Sequence, residues 1–270
     1  MPLPSLFLPH GAPDLPLTDH VAKSFLEGLS NKLPKPDAIL VVSAHWECDA
    51  ITMGTATSPV TVHDFFGWPR QLYDIQYPAK TSPALIDRVG EVLDNAGLTW
   101  RADQQRGYDH GVWIPLQLAY PQANIPIVQL SLVKNGSAED HFALGLALAP
   151  LREQNFLIVG SGAATHNLKT LASEDTSPPN WATDFDWWLH DALSRRELAA
   201  LLRFPNEPSG ALMAHPTIEH FLPLCVALGA GWKGGAQALL HHSYSYSSIS
   251  MATYAFGKKS SLPVSQPLAA

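Results

Sequence analysis

The chain has 270 residues, 46% of them hydrophobic and 15% charged, with a net charge of −7. That balance suits a globular protein with room for one large core, and it argues against a nucleic-acid partner, which would need basic patches facing phosphate. No apolar run approaches the roughly 20 residues of a membrane helix, so no membrane partner is expected.

The opening "MPLPSLFLPHG" has no basic region and too short an apolar run for a signal peptide, so "SLFL" reads as a first strand. Further short, β-branched apolar runs stand at "AILVVSA", "AITMGT", "IPIVQLSLV" and "NFLIVGSG" and predict strands. Between them lie helical patterns. "HVAKSFLEGLSNKL" precedes the second strand, and "SPALIDRVGEVLDNAG" closes on Gly97 as a C-cap. "AEDHFALGLALAPLRE" opens after Ser137 as N-cap, "WATDFDWWLHDALSRRELAALLRF" spans one long helix or two, and "EHFLPLCVALGA" is the last clear helix. "GKKSSLPVSQPLAA" has the composition of a flexible tail.

Strands that alternate with helices and are apolar on both faces predict an α/β fold, a mostly parallel or mixed central sheet with helices on both faces. With no linker in view, residues 1–256 form one domain and 257–270 a tail. The two cysteines, Cys48 and Cys225, make neither a disulfide framework nor a zinc knuckle, and a reducing cytoplasm is the expected compartment.

Histidine carries the chemistry of this sequence, with twelve along the chain. Three strand-like runs each deliver one to their C-terminal end: His10 in "PHGAP", His45 in "VVSAHWE" and His166 in "GSGAATHNL". In α/β sheets, sites form outside the carboxyl ends of the strands. The glycines of "GSG" suggest a tight turn whose amides could face a bound group, though no GxGxxG or P-loop pattern is present. "GYDHGVW" places His110 in a segment too polar for a core strand, and "TVHDFFGWP" sets His63 and Asp64 among aromatics. In "HPTIEHFLPL", His215 reads as loop. Glu219 and His220 are helical neighbours about 100° apart, so one metal cannot easily use both. His20, His141 and His190 read as surface or structural, and His241-His242 as an exposed strand start. Ser161 with His166 as its base would make a hydrolase, but no G-x-S-x-G elbow supports it.

In this order, "PHGAP", "VVSAHWE", "TVHDFFGWP", "LYDIQYPA", "GYDHGVW", "IPIVQLSL", "GSGAATHNL" and "PTIEHFLPL" resemble the class III extradiol ring-cleaving dioxygenases, within them the DOPA 4,5-dioxygenase branch. The resemblance runs from about residue 3 to residue 252. It implies one divalent metal at the C-terminal ends of the strands, bound by His10, His45 and His220. It makes His166 the acid–base residue, or a fourth ligand, and His110 a second catalytic histidine contacting substrate or dioxygen. Iron(II) would serve oxygenase turnover, and zinc(II) is what this branch also carries. Implied partners are a catechol and O2, in a monomer or homodimer, and the implied product is a muconic semialdehyde. His63, Phe65 and Trp113, with Phe66 and Trp68, are expected to wall the substrate site. Where the family has serine after "HG", this chain has Ala12, which removes a hydroxyl. A zinc-dependent hydrolase or a small-aromatic-binding protein on the same fold is the alternative reading.

Overall fold

Burial on both sides of the strands organises this molecule. In the computed structural model, which describes residues 1–264, the chain runs β1 (Ser5–Pro9), α1 (Val21–Glu27), β2 (Ala38–Cys48), β3 (Thr52–Gly54), α2 (Arg70–Tyr73), α3 (Pro83–Asn95), β4 (Arg101–Asp103), α4 (His110–Ala119), β5 (Ile127–Val133), α5 (Ala138–Leu148), β6 (Phe156–Gly162), α6 (Asn180–Ser194), α7 (Leu198–Leu202), α8 (Ala211–Ala214), α9 (Leu222–Gly231), β7 (Gly235–His241), β8 (Tyr244–Ser245), β9 (Ile249–Ser250) and β10 (Thr253–Lys258). Eight strands form one sheet in the order β4-β3-β5-β2-β6-β1-β10-β7. Its centre, β5-β2-β6-β1, is parallel, whereas β10 and β7 extend one side antiparallel and β3 is antiparallel to β5. The sheet is therefore mixed and the fold a single α/β domain.

Successive strand side chains point to opposite faces. Leu40, Val42 and Ile158 join a core with residues of α3, α5, α6 and α9, while Ile39, Val41, Leu157 and Val159 join a second core with α1 and α4. This explains the unbroken apolar runs: a strand covered on both faces has no polar side to show.

The helix ends follow their sequence cues. Ser137 caps α5 in a reciprocal box with Asp140, and Ser82 accepts from Leu85 N at the start of α3. Ala96 is the C-cap of α3, and Gly97 follows with φ of 72°. The long C-terminal pattern splits into α6 and α7. His20 is the N-cap of α1, accepting from Ala22 N.

The "GYDHGVW" segment, too polar for a core strand, opens α4, whose residues are almost all buried. Two expectations are corrected. His241 ends β7 rather than starting an exposed strand, and it stacks on Phe25. The ordered chain also runs past residue 256, since β10 continues through Lys258 and a 3-10 turn covers Lys259–Ser261. The remainder of the expected tail, residues 265–270, lies outside the described residues.

Cys48 and Cys225 are free thiols. No helix among the described residues is long and apolar enough to cross a membrane.

Candidate metal centre

Five histidines meet at the C-terminal ends of the parallel strands, and each arrives by a different local device. His10 follows β1 directly. His45 sits in a bulge of β2: pairing with β5 jumps from Val42↔Leu130 to Glu47↔Leu132, which leaves the residues between them out of register. Such a bulge bends a strand and re-aims a side chain. His110 is the first residue of α4, behind Asp109 as N-cap. His166 lies in the loop after β6, and His220 just before α9.

The "GSG" glycines have a packing role rather than the anion-cradling one their spacing suggests. A Cβ on Gly162 would stand 2.2 Å from the His220 carbonyl oxygen, and one on Gly160 2.0 Å from that of Pro223. Only glycine lets the His220 segment lie this close to β6, where Ala163 N donates to His220 O (3.1 Å).

The imidazole rings form a tight group. The His10 centroid lies 4.8 Å from that of His45, 5.1 Å from His110 and 5.3 Å from His220, and the His45 and His220 centroids are 5.0 Å apart. His166 stacks on His220 at 3.4 Å, nearly parallel. By ligand atoms, His10, His45 and His110 form one set within 4.8 Å, and His166, Glu219 and His220 an adjoining one.

Partners on the far nitrogens fix where the lone pairs point. Pro115, inside α4, has no N–H for the carbonyl four residues back, which is that of Gly111. Ser161 Oγ donates to that carbonyl. With its proton committed there, Ser161 Oγ accepts from His10 Nδ1 (3.1 Å), and His10 Nε2 is left with its lone pair free. Glu219 Oε1 accepts from His220 Nδ1 (2.8 Å) and is itself held by Thr217 Oγ1 (3.1 Å). Asp64 Oδ1 receives both the backbone N–H and Nδ1 of His110, each at 2.9 Å, while its Oδ2 lies 3.4 Å from His45 Nδ1.

Beneath the cluster lies an ion pair with a buried carboxylate and a half-buried guanidinium. The Asp109 carboxylate accepts from Ser43 Oγ (2.6 Å), Gln129 Nε2 (2.9 Å) and the Arg106 guanidinium, and Arg106 also donates to His45 O (3.2 Å). These contacts tie the β2 bulge to the start of α4.

Burial is the main influence on the ring charges. It pulls the pKa of His45 and of His166 down to about 4, and it pulls His10 and His220 well below the usual value, helped by the neighbouring imidazoles. All four imidazoles are neutral at pH 7. Burial works against the ionised form of Asp64, but its bonds to His110 outweigh that and hold its carboxyl well below the usual range.

One atom tests whether these residues suit a metal. His220 Nε2 is buried with no partner, while His10 Nε2 and His45 Nε2 face one another at 3.0 Å with both Nδ1 sides turned to acceptors. Such an arrangement of bare lone pairs is costly unless a cation sits among them. Neutral imidazoles oriented by outer carboxylate or hydroxyl partners are what zinc or iron(II) takes. The residues fit.

A cavity of about 340 Å³ opens onto this cluster, walled by His10, Ala12, His45, Asp64, His110 and His166 at its polar end and by Phe65, Phe66, Trp68, Leu168, Leu171, Tyr246 and Ile249 elsewhere. Ala12 brings no hydroxyl to it. Two expected wall residues are absent. Trp113 is fully buried and donates its Nε1 to Val62 O (3.1 Å), and His63 turns to Ile75 O (3.1 Å) and packs on Trp113. In the His63-Asp64 pair it is Asp64 that reaches the site. Ser161 is no nucleophile, since it is buried and both its hydrogen bonds are structural.

Sequence reasoning missed Asp64, Ser161 and Glu219 as the groups that aim the rings. It also missed Leu168, Leu171, Tyr246 and Ile249 in the cavity wall. For Asp64 and Glu219 the signal was their place beside a histidine. Tyr246 and Ile249 arrive on a hairpin that no chain-local pattern ties to the site.

Comparison with known proteins places this geometry. Residues 7–257 match the family described as the catalytic LigB subunit of aromatic ring-opening dioxygenase, and the chain belongs to that family. It is a class III extradiol dioxygenase, an aromatic ring-opening enzyme. Among its relatives, a protein of Beta vulgaris named 4,5-DOPA dioxygenase extradiol is 39% identical over 93% of this chain and 96% of its own length. A protein of the same name from Escherichia coli K12 is 41% identical over 86% of each chain. The crystal structure of an uncharacterized protein from Escherichia coli K12 superposes with a TM-score of 0.79 at 33% identity, covering 94% of this chain and all of that one.

Proposed function

We propose that this enzyme opens a DOPA-like catechol with dioxygen, breaking the ring bond beside the diol to give a muconic semialdehyde that keeps both oxygen atoms. His10, His45 and His220 would hold the divalent metal, iron(II) for turnover. The observation that carries this choice is the buried, partnerless His220 Nε2 beside the facing Nε2 atoms of His10 and His45. When bound there, a divalent metal would supply Lewis acidity that lowers the pKa of the catechol hydroxyls.

The remaining steps belong to the chain. His166, neutral at pH 7 and lining the cavity, takes the catechol proton and returns it as the ring opens. Its stacking on His220 fixes its plane. Asp64 accepts from His110 Nδ1, which leaves Nε2 as the nitrogen that would take up a proton in the reaction and present it to oxygen that becomes negative. Phe65 lies edge-on to His110 at 5.7 Å and sets an apolar wall for a flat ring.

The test is oxygen uptake with a catechol panel on anaerobically purified protein reloaded with iron(II) or zinc(II). Iron-dependent uptake with a yellow ring-opened product is expected. Zinc-dependent hydrolysis without uptake would overturn the proposal.

A further inference from the structure

The cavity is polar at one end only. Its histidines and Asp64 stand together there, and the other side chains of the wall are aliphatic or aromatic. The one hydroxyl among them, on Tyr246, gives its proton to Asp14 Oδ2 (2.5 Å), and Asp14 itself does not line the cavity. Trp68 and Tyr246 meet edge-to-face at 6.4 Å and close one side of this end. The apolar wall residues most open to water are Phe66, Leu168 and Leu171, at 93%, 59% and 42% exposure. They mark where the apolar end meets solvent.

Local structure holds them there. Leu168–Thr170 is a 3-10 turn, in which side chains three apart eclipse, so Leu168 and Leu171 share a side. The turn is pinned at both ends. Asn167 is buried, its side chain donating to Met213 O (2.7 Å) and accepting from Lys169 N (3.1 Å), and Ala172 N donates to Tyr246 O (3.2 Å). Gly67, with φ of 80°, turns the chain between Phe66 and Trp68, so that both reach the cavity. Exposed apolar groups fixed around a cavity mark a binding surface. Continuity with the histidine cluster identifies what this one binds: the part of the substrate beyond its ring.

We propose that Phe66, Leu168 and Leu171 form a collar that grips the apolar stem of a catechol's 4-substituent. The site then takes 4-alkyl catechols by ring and stem, and a charged head beyond the stem stays in water. The inference rests on the ring-cleavage reading, because a diol at the histidines is what directs the substituent to this end. A DOPA-like substrate obeys it. Its ring and methylene are covered, while its ammonium and carboxylate find no partner on the apolar wall and keep their hydration.

The experiment is anaerobic calorimetry on iron(II)-loaded protein at physiological salt, with two sets of probes. Along 4-methyl-, 4-ethyl- and 4-propylcatechol, affinity should rise about three- to fourfold per methylene. DOPA, dopamine and 3,4-dihydroxyphenylpropionate share a two-carbon stem and differ in head, and they should bind within about threefold of one another. Phe66→Ser and Leu168→Ser change exposed side chains, and each should lower the propyl-to-methyl affinity ratio. A flat alkyl series, heads that differ tenfold or more, or a ratio untouched by both variants would overturn the inference. So would a loss of self-association in the variants with the ratio unchanged, which would assign the collar to a second copy of the chain. Oxygen uptake on the same samples separates the two readings. Cleavage with a flat alkyl series would overturn only the collar, and a rising series without cleavage of any probe would overturn only the proposed reaction. Failure of every probe to bind would overturn both.

Discussion

Ser161→Ala is the substitution that most directly probes how His10 is aimed. Ser161 is fully buried, and its hydroxyl does two things at once: it satisfies the Gly111 carbonyl that Pro115 leaves free, and it accepts the proton on His10 Nδ1. Alanine removes both partners. A buried polar group left unpaired costs about 1–3 kcal/mol, and partial relaxation of the neighbours brings the expected loss to about 2 kcal/mol. For a domain of this size that lowers the Tm by about 4–8 °C.

The second effect is the diagnostic one. Without an acceptor at Nδ1, His10 is free to place its proton on Nε2 and to rotate, and loss of such a partner typically weakens metal binding about 10–100-fold. Ser5→Ala supplies the control. Ser5 is equally buried and donates to Ala227 O (2.6 Å), with no contact to the cluster. Both variants should lose comparable stability in denaturant titrations of the metal-free protein, but only Ser161→Ala should show a raised zinc Kd in a chelator competition. Equal zinc affinity in the two variants would refute the tautomer argument.

Three further expectations follow from the same geometry. Glu219→Gln keeps an oxygen that can accept from His220 Nδ1 and should bind metal within a few fold of wild type, whereas His220→Gln should lose metal altogether, as read by metal content after dialysis; the reverse result would make Glu219 the ligand. His166→Ala should retain metal yet lose roughly 10²–10⁴-fold in turnover, and loss of metal instead would make His166 a fourth ligand. Burial, partly offset by the bond to Ala164 O, pulls the His215 pKa from 6.5 to about 4. The unfolded chain therefore binds a proton that the native state refuses, and stability falls as the pH drops from about 6.5 to about 4, by about 3 kcal/mol for this site. His215→Gln should flatten that slope by one proton in denaturant titrations of the metal-free protein between pH 7 and 5, and an unchanged slope would show that His215 titrates normally.

What could be read from the sequence divides along a physical line. The central strands were legible because they are buried on both faces, so each is an unbroken apolar run, and a histidine at the end of such a run has few reasons to be there other than chemistry. His10, His45 and His166 stood out for that reason. Helix α4 was hidden by the same burial: "HGVWIPLQLA" is apolar all round, which erases the helical period, and Pro115 reads as a breaker. Yet that proline matters to the site, since the carbonyl it frees anchors Ser161 and, through it, His10. The bulge that turns His45 inward is equally silent, because nothing in "VVSAHWE" marks a loss of register with a strand more than eighty residues away. His63 and Asp64 show the limit most plainly. Their adjacency guaranteed that one would face the cluster if the other faced away, and the histidine was the natural choice by chemistry. The fold chose the carboxylate: His63 packs on Trp113, and Asp64 is left to hold His110 and to stand beside His45. In a cluster so rich in imidazole, the carboxylates and hydroxyls on the Nδ1 sides decide which nitrogens remain free for a metal.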